Sequence, residues 1–108
     1  MKKTSVIPIP VNKAIKKLGA DLKEARIKRR LTMSLVEERA GITHITLTKV
    51  EKGNLGVSIG IYAKVMFVLG LTDNLINLAE PDNDVIGRRY DRENLPKRVR
   101  YKKDENNG

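Results

Sequence analysis

The feature that most constrains this chain is the stretch from Leu31 to Gly53, which reads as two short helices joined by a tight turn. Thr32 can cap the first helix, because its hydroxyl can accept a bond from an orphan backbone N–H. Leu35, Val36 and Ala40 give that helix one apolar side. Gly41 allows the left-handed backbone that ends it. Ile42 follows, and Thr43 is placed to cap the second helix. There Leu47 and Val50 sit three apart and face inward. His44, Ile45, Thr46, Thr48 and Lys49 are left to face outward, Glu51 falls near the end, and Gly53 closes the helix.

A helix, a glycine-containing turn and a second helix with a polar outer face make a helix-turn-helix. The run also resembles the DNA-binding unit of phage Cro and repressor proteins, the Xre-like family. Leu31, Thr32, Ala40, Gly41, Ile42, Thr43, Glu51 and Gly53 match that family's pattern. Two positions depart from it. Met33 stands where a glutamine that contacts phosphate or base is common, and Glu37 stands where a small residue lets the helices approach. The first departure removes one DNA contact, and the second predicts a wider or rearranged helix pair. The resemblance also implies an ion pair between Arg26, near the end of the preceding helix, and Glu51. Bidentate geometry would hold that pair in direction.

The 108 residues suffice for one small domain with extensions. Without cysteine there is neither a disulfide nor a thiolate metal site, and with one histidine zinc ligation is not expected. No apolar run approaches the roughly 20 residues of a membrane span. Met1-Lys2-Lys3 is followed by no continuous apolar segment, so a cytoplasmic, nucleoid-associated protein without a secretory signal is expected. The net charge of +9 is unevenly placed. Residues 1–30 carry ten Lys/Arg against two Asp/Glu, residues 31–80 four against five, and residues 81–108 eight against six. A near-neutral core with basic flanks fits a folded reader with cationic arms on a polyanion.

In chain order, the expectation is an all-α, five-helix domain over residues 13–80. It lies between an irregular N-terminal arm over 1–12 and a basic C-terminal tail over 81–108. Pro8 and Pro10 argue against a helix at the start, where Val6, Ile7, Ile9 and Val11 could lie extended along a partner or remain unstructured. Helix 1 is expected from Asn12 or Lys13 to Arg29, with Ile15, Leu18, Leu22 and Ala25 as its apolar stripe. Gly19 reads as a soft spot in it, costing about 1 kcal/mol relative to Ala. Ser58 can cap helix 4, about Ile59 to Leu69, whose core face is Ile59, Tyr62, Val65, Met66 and Leu69. Ile61, Phe67 and Val68 lie off that face. One small domain cannot bury a helix on all sides, so a twofold dimer is expected through them and through Leu75 and Ile76 of helix 5. Asp73 is the expected cap of helix 5 and Pro81 its stop. Val85-Ile86-Gly87 reads as a short strand or a docking segment.

A helix-turn-helix sets its second helix in the major groove. That nominates His44, Ile45, Thr48 and Lys49 as base contacts: Lys49 toward guanine O6 and N7, Ile45 toward a thymine methyl, His44 as a donor to a purine N7. Arg30, Thr32, Thr43, Lys52 and Asn54 are phosphate candidates that set register. Arg88, Arg89, Arg98 and Arg100 could track DNA or an acidic partner surface.

Gly56-Val57-Ser58-Ile59-Gly60-Ile61-Tyr62, Leu69-Gly70-Leu71 and Leu95-Pro96-Lys97-Arg98-Val99-Arg100 resemble Xre-type regulators of HipB-like toxin–antitoxin modules. That resemblance implies a homodimer that represses its own operon on a palindromic double-stranded operator and binds a HipA-like kinase toxin. Two other readings stand beside it: an interaction protein whose main task is to neutralise such an enzyme, and a phage-type regulator with no toxin partner. No acid/base or nucleophile constellation can be assembled, so neither an enzyme nor a cofactor is expected.

Overall fold

A computed structural model describes residues 6–94. It is all-helical over them, with α1 (Ile9–Lys28), α2 (Met33–Ala40), α3 (His44–Glu51), α4 (Ile59–Val68), α5 (Thr72–Ile76), a 3-10 turn at Pro81–Asn83 and α6 (Val85–Glu93). The chain divides into two compact units between Leu75 and Ile76.

The helix starts follow from capping chemistry. Thr32 Oγ1 accepts from the Leu35 amide at 3.1 Å, Thr43 Oγ1 from Thr46 at 3.2 Å, and Ser58 Oγ from Ile61 at 3.3 Å. Each satisfies an amide that the helix cannot pair internally. The ends of α1 to α4 share one closure, in which a residue at positive φ lets the following amide bond back five residues. The bonds are Leu31 to Arg26, Ile42 to Glu37, Asn54 to Lys49 and Leu71 to Met66, at 2.8–3.2 Å. Gly41, Gly53 and Gly70 supply three of the positive φ angles, and Arg30, at φ 56°, supplies the fourth.

The first unit packs around Leu22, Val36, Ala40, Leu47, Val50, Tyr62, Val65, Met66 and Leu69. Fully burying a side chain such as Leu47 or Val36 contributes roughly 1.5–3 kcal/mol. Ile15, Leu18 and Ala25 pack half-buried against this core, as the α1 stripe predicts. Gly19 has another role than a soft spot. It is buried where α1 crosses the end of α3, and a Cβ there would lie 2.5 Å from both the Gly53 amide and the Val50 carbonyl.

Several expectations need correction. Residues 9–12 are helical, not extended: Pro8 immediately precedes α1 and Pro10 occupies its first turn, where no N–H is required. Asp73 lies inside the first turn of α5 and is not its cap, and α5 ends at Ile76, ahead of Pro81. Ile59 is exposed and not a core residue, because the buried face of α4 runs through Tyr62, Val65, Met66 and Leu69 and Ile59 lies to one side of it. Residues 85–87 begin α6 in place of a strand, since Asp84 Oδ1 accepts from the Gly87 amide at 2.9 Å and starts a helix. Among the described residues five α-helices precede residue 81, and the sixth, α6, lies in the segment expected as a tail. Residues 95–108, with Arg98 and Arg100, lie outside the described residues, as do residues 1–5. Among the described residues no helix is long and apolar enough to cross a membrane.

Candidate nucleic-acid interface

α3 is anchored from inside and bare outside. Leu47 and Val50 are fully buried, whereas His44, Ile45 and Lys49 are exposed and Thr48 is half-buried. Ile45 leaves 68% of its surface to solvent, so it is no core contact. The four candidate base-reading residues thus share one helix, three of them well exposed.

Its far end is held by Arg26. The guanidinium Nε donates to Glu51 Oε2 at 2.7 Å, Nη2 to Oε1 at 3.2 Å, and Nη1 to the Leu31 carbonyl at 3.0 Å. The side chains are only 11% and 7% exposed. One residue of α1 therefore fixes the last residue of α3 and the link into α2. The planar fork makes this possible; a lysine would act as a point charge and set no direction.

The phosphate candidates differ in what they have left to offer. Thr32 spends an acceptor lone pair on its cap and keeps its hydroxyl proton. Thr43 donates its proton to Thr46 Oγ1 at 3.0 Å, so a phosphate would have to compete for it. Asn54 uses Oδ1 to accept from the Gly56 amide at 2.6 Å, and its carbonyl accepts from the Tyr62 hydroxyl at 2.8 Å. Its side-chain NH2 is the group that can donate outward. Lys52 and Arg30 are exposed.

The two departures from the family pattern also have definite places. Met33 is half-buried against the core and lines a shallow concavity with Lys23, Arg26, Thr48, Glu51 and Lys52. Glu37 reaches across the turn, with Oε2 2.7 Å from His44 Nδ1. Its side chain is 17% exposed and that of His44 67%.

The apolar surplus is smaller than helix 4 suggests. Ile61, Val68 and Leu75 pack half-buried against their own core, whereas Phe67 and Ile76 are 73% and 71% exposed. The reason is that Ile61 and Val68 lie on the flank of the core face, while Phe67 lies nearly opposite it. Beside Phe67 a concavity is lined by Arg39, Ala40, Gly60, Ala63 and Lys64. In the second unit, Arg88 donates to the Asp82 carbonyl at 2.7 Å and Arg89 is exposed on α6.

Sequence reasoning missed the hydrogen bond from Tyr62 and the contact between Glu37 and His44. A carboxylate seven residues before a lone histidine, across a two-helix turn, was the available signal for the latter. Compared with known proteins, the chain matches no family model and no curated protein.

Proposed function

We propose that this chain is a sequence-specific DNA-binding repressor with a Cro-type helix-turn-helix. On this reading it is the autoregulating, HipB-like component of a toxin–antitoxin operon and binds a palindromic operator as a homodimer. The observation that carries the reading is the outer face of α3. His44, Ile45 and Lys49 stand exposed on a helix whose inner face and far end are both locked. α3 would enter the major groove, with Arg30, Thr32, Lys52 and Asn54 on the flanking phosphates. Phe67 against the concavity of Gly60 and Ala63 is the surface best suited to a second copy. The chain would act in the cytoplasm on the nucleoid and catalyse nothing.

A second reading is supported by α6, where Val85, Ile86 and Tyr90 are exposed together. Such a surface suits a protein partner, such as a kinase toxin, more than a phosphate backbone.

Selection from a random duplex library tests the first reading. Two half-sites about one helical turn apart, roughly 34 Å, are expected. Lys49→Ala should cost about 1–3 kcal/mol on the selected site and relax one base position. Equal loss on random DNA would make Lys49 a phosphate contact, and no enriched sequence would refute operator recognition.

A further inference from the structure

We infer that Glu37 is a positioning residue that sets which hydrogen-bonding character His44 shows to a base edge. The contact pairs a 17%-exposed carboxylate with Nδ1 of a ring that is otherwise mostly in solvent. An ionised carboxylate has only acceptors, so at 2.7 Å the proton must sit on Nδ1. In the neutral ring Nε2 is then a bare lone pair. His44 is the first residue of α3 and follows the cap Thr43, so the ring stands at the helix start, the part that comes nearest the base edges in a helix-turn-helix.

This reverses the role expected from sequence. A free neutral histidine can take either tautomer and could donate to a purine N7. Held by Glu37, the neutral ring accepts, and its complement in the major groove is the amino group of cytosine N4 or adenine N6. Guanine N7 and O6 and thymine O4 are acceptors and would face the Nε2 lone pair unfavourably. The same bond stops the ring from turning about its side-chain torsions, so one nitrogen is aimed in a constant direction. The inference rests on the proposed DNA reading for its consequence, but not for the tautomer.

The closing experiment has two arms. His44 is the only histidine in the chain, so its two ring nitrogens can be followed by nitrogen-15 NMR in the free protein at a pH where the ring is neutral. The wild type should show the Nδ1–H tautomer, and Glu37→Ala should revert to the Nε2–H form that free imidazole favours. Glu37→Gln keeps the shape but can accept or donate, so it should give a mixture; a purely structural Glu37 would leave that variant like the wild type. In the second arm, operators are selected with wild type, E37A, H44A and the E37A/H44A pair. One position should prefer cytosine or adenine about fivefold in the wild type, the worth of one hydrogen bond. E37A should lose that preference and change nothing further in the H44A background. An Nε2–H wild-type ring overturns the inference whatever DNA shows, as does an E37A ring that stays Nδ1–H. A wild type that has the Nδ1–H ring but enriches no sequence refutes the DNA reading, and with it the base-selecting half of the inference.

Discussion

Three of the four left-handed helix ends in the first unit use glycine, and the fourth uses Arg30. A side chain in that conformation costs roughly 1–2 kcal/mol. Glycine would remove the cost while adding entropy to the unfolded chain, roughly 0.5–1 kcal/mol in the other direction. Arg30→Gly should therefore stabilise the fold by about 0.5–1 kcal/mol in urea melts. If Arg30 holds a phosphate, the same variant should bind the operator more weakly and lower the slope of log K against log salt by about 0.9. A gain in both stability and affinity would show that Arg30 touches no DNA. Arg26 and Glu51 present the opposite case, a residue pair that holds the fold together. Glu51→Ala leaves a guanidinium nearly buried with only the Leu31 carbonyl as partner. It should destabilise by about 3 kcal/mol, because removing one member of a buried pair costs far more than removing an exposed one. A change below about 0.5 kcal/mol would place the pair among the weak surface contacts.

At the scale of elements, the decisive packing is α1 on α3. Gly19 and Gly53 let two backbones meet where any side chain would collide: a Cβ on Gly53 would strike the Lys16 backbone as one on Gly19 would strike Gly53 itself. Gly19→Ala gains about 1 kcal/mol of helix propensity. Against this stands overpacking of about 1–3 kcal/mol, since the obstacles are backbone atoms that cannot rotate away. A net loss of about 1 kcal/mol is expected from denaturant midpoints at unchanged m-value, and a gain would mean that α1 can shift outward freely. The close approach matters for the proposed site, because the turn of α1 that touches Gly53 lies two turns before Arg26. Both contacts set the end of α3, and so the attitude of the helix that carries His44, Ile45 and Lys49.

For the molecule as a whole, alkaline stability is set in part by Tyr62. The residue is buried, its part-buried hydroxyl donates to the Asn54 carbonyl, and desolvation pushes its pKa above the ordinary tyrosine value. A raised folded pKa means that the native state favours the protonated phenol. This contribution is complete below a pH of about 10 and is lost as pH rises through the raised value. Tyr62→Phe should be less stable at neutral pH by about 1 kcal/mol for the lost hydrogen bond. It should also lose less stability than the wild type between about pH 9 and pH 11, by chemical melts at each pH. Parallel curves for the two proteins would mean that folding leaves the phenol's pKa where the unfolded chain has it. Lys17, raised by its hydrogen bond to Asp21, titrates on the solvent face in both proteins and drops out of the comparison.

Much of the fold was legible because it rests on short-range chemistry. Thr32, Thr43 and Ser58 as caps, Gly41, Gly53 and Gly70 as helix ends, and Leu47 with Val50 as an inner face are all decided within a few residues. The outward set on α3 follows from the same periodicity. What local rules could not decide depended on neighbours distant in the chain. Gly19 resembled a weakness until Gly53 was seen against it, since only packing distinguishes a missing side chain from a forbidden one. Ile61 and Val68 looked surplus until the core took up part of their surface, leaving Phe67 and Ile59 as the exposed large apolar residues of that helix. Pro8 and Pro10 look like helix breakers by residue type, yet at a first turn proline lacks nothing the helix needs. Glu37 looked like a misfit for helix packing, and only the approach of α2 to α3 turned it into the partner of His44. For α2 and α3 the sequence by itself determined where the helices begin, end and face, because caps and glycine ends are chosen against the chain's own backbone. Tertiary structure decided which of the remaining side chains are spent on one another.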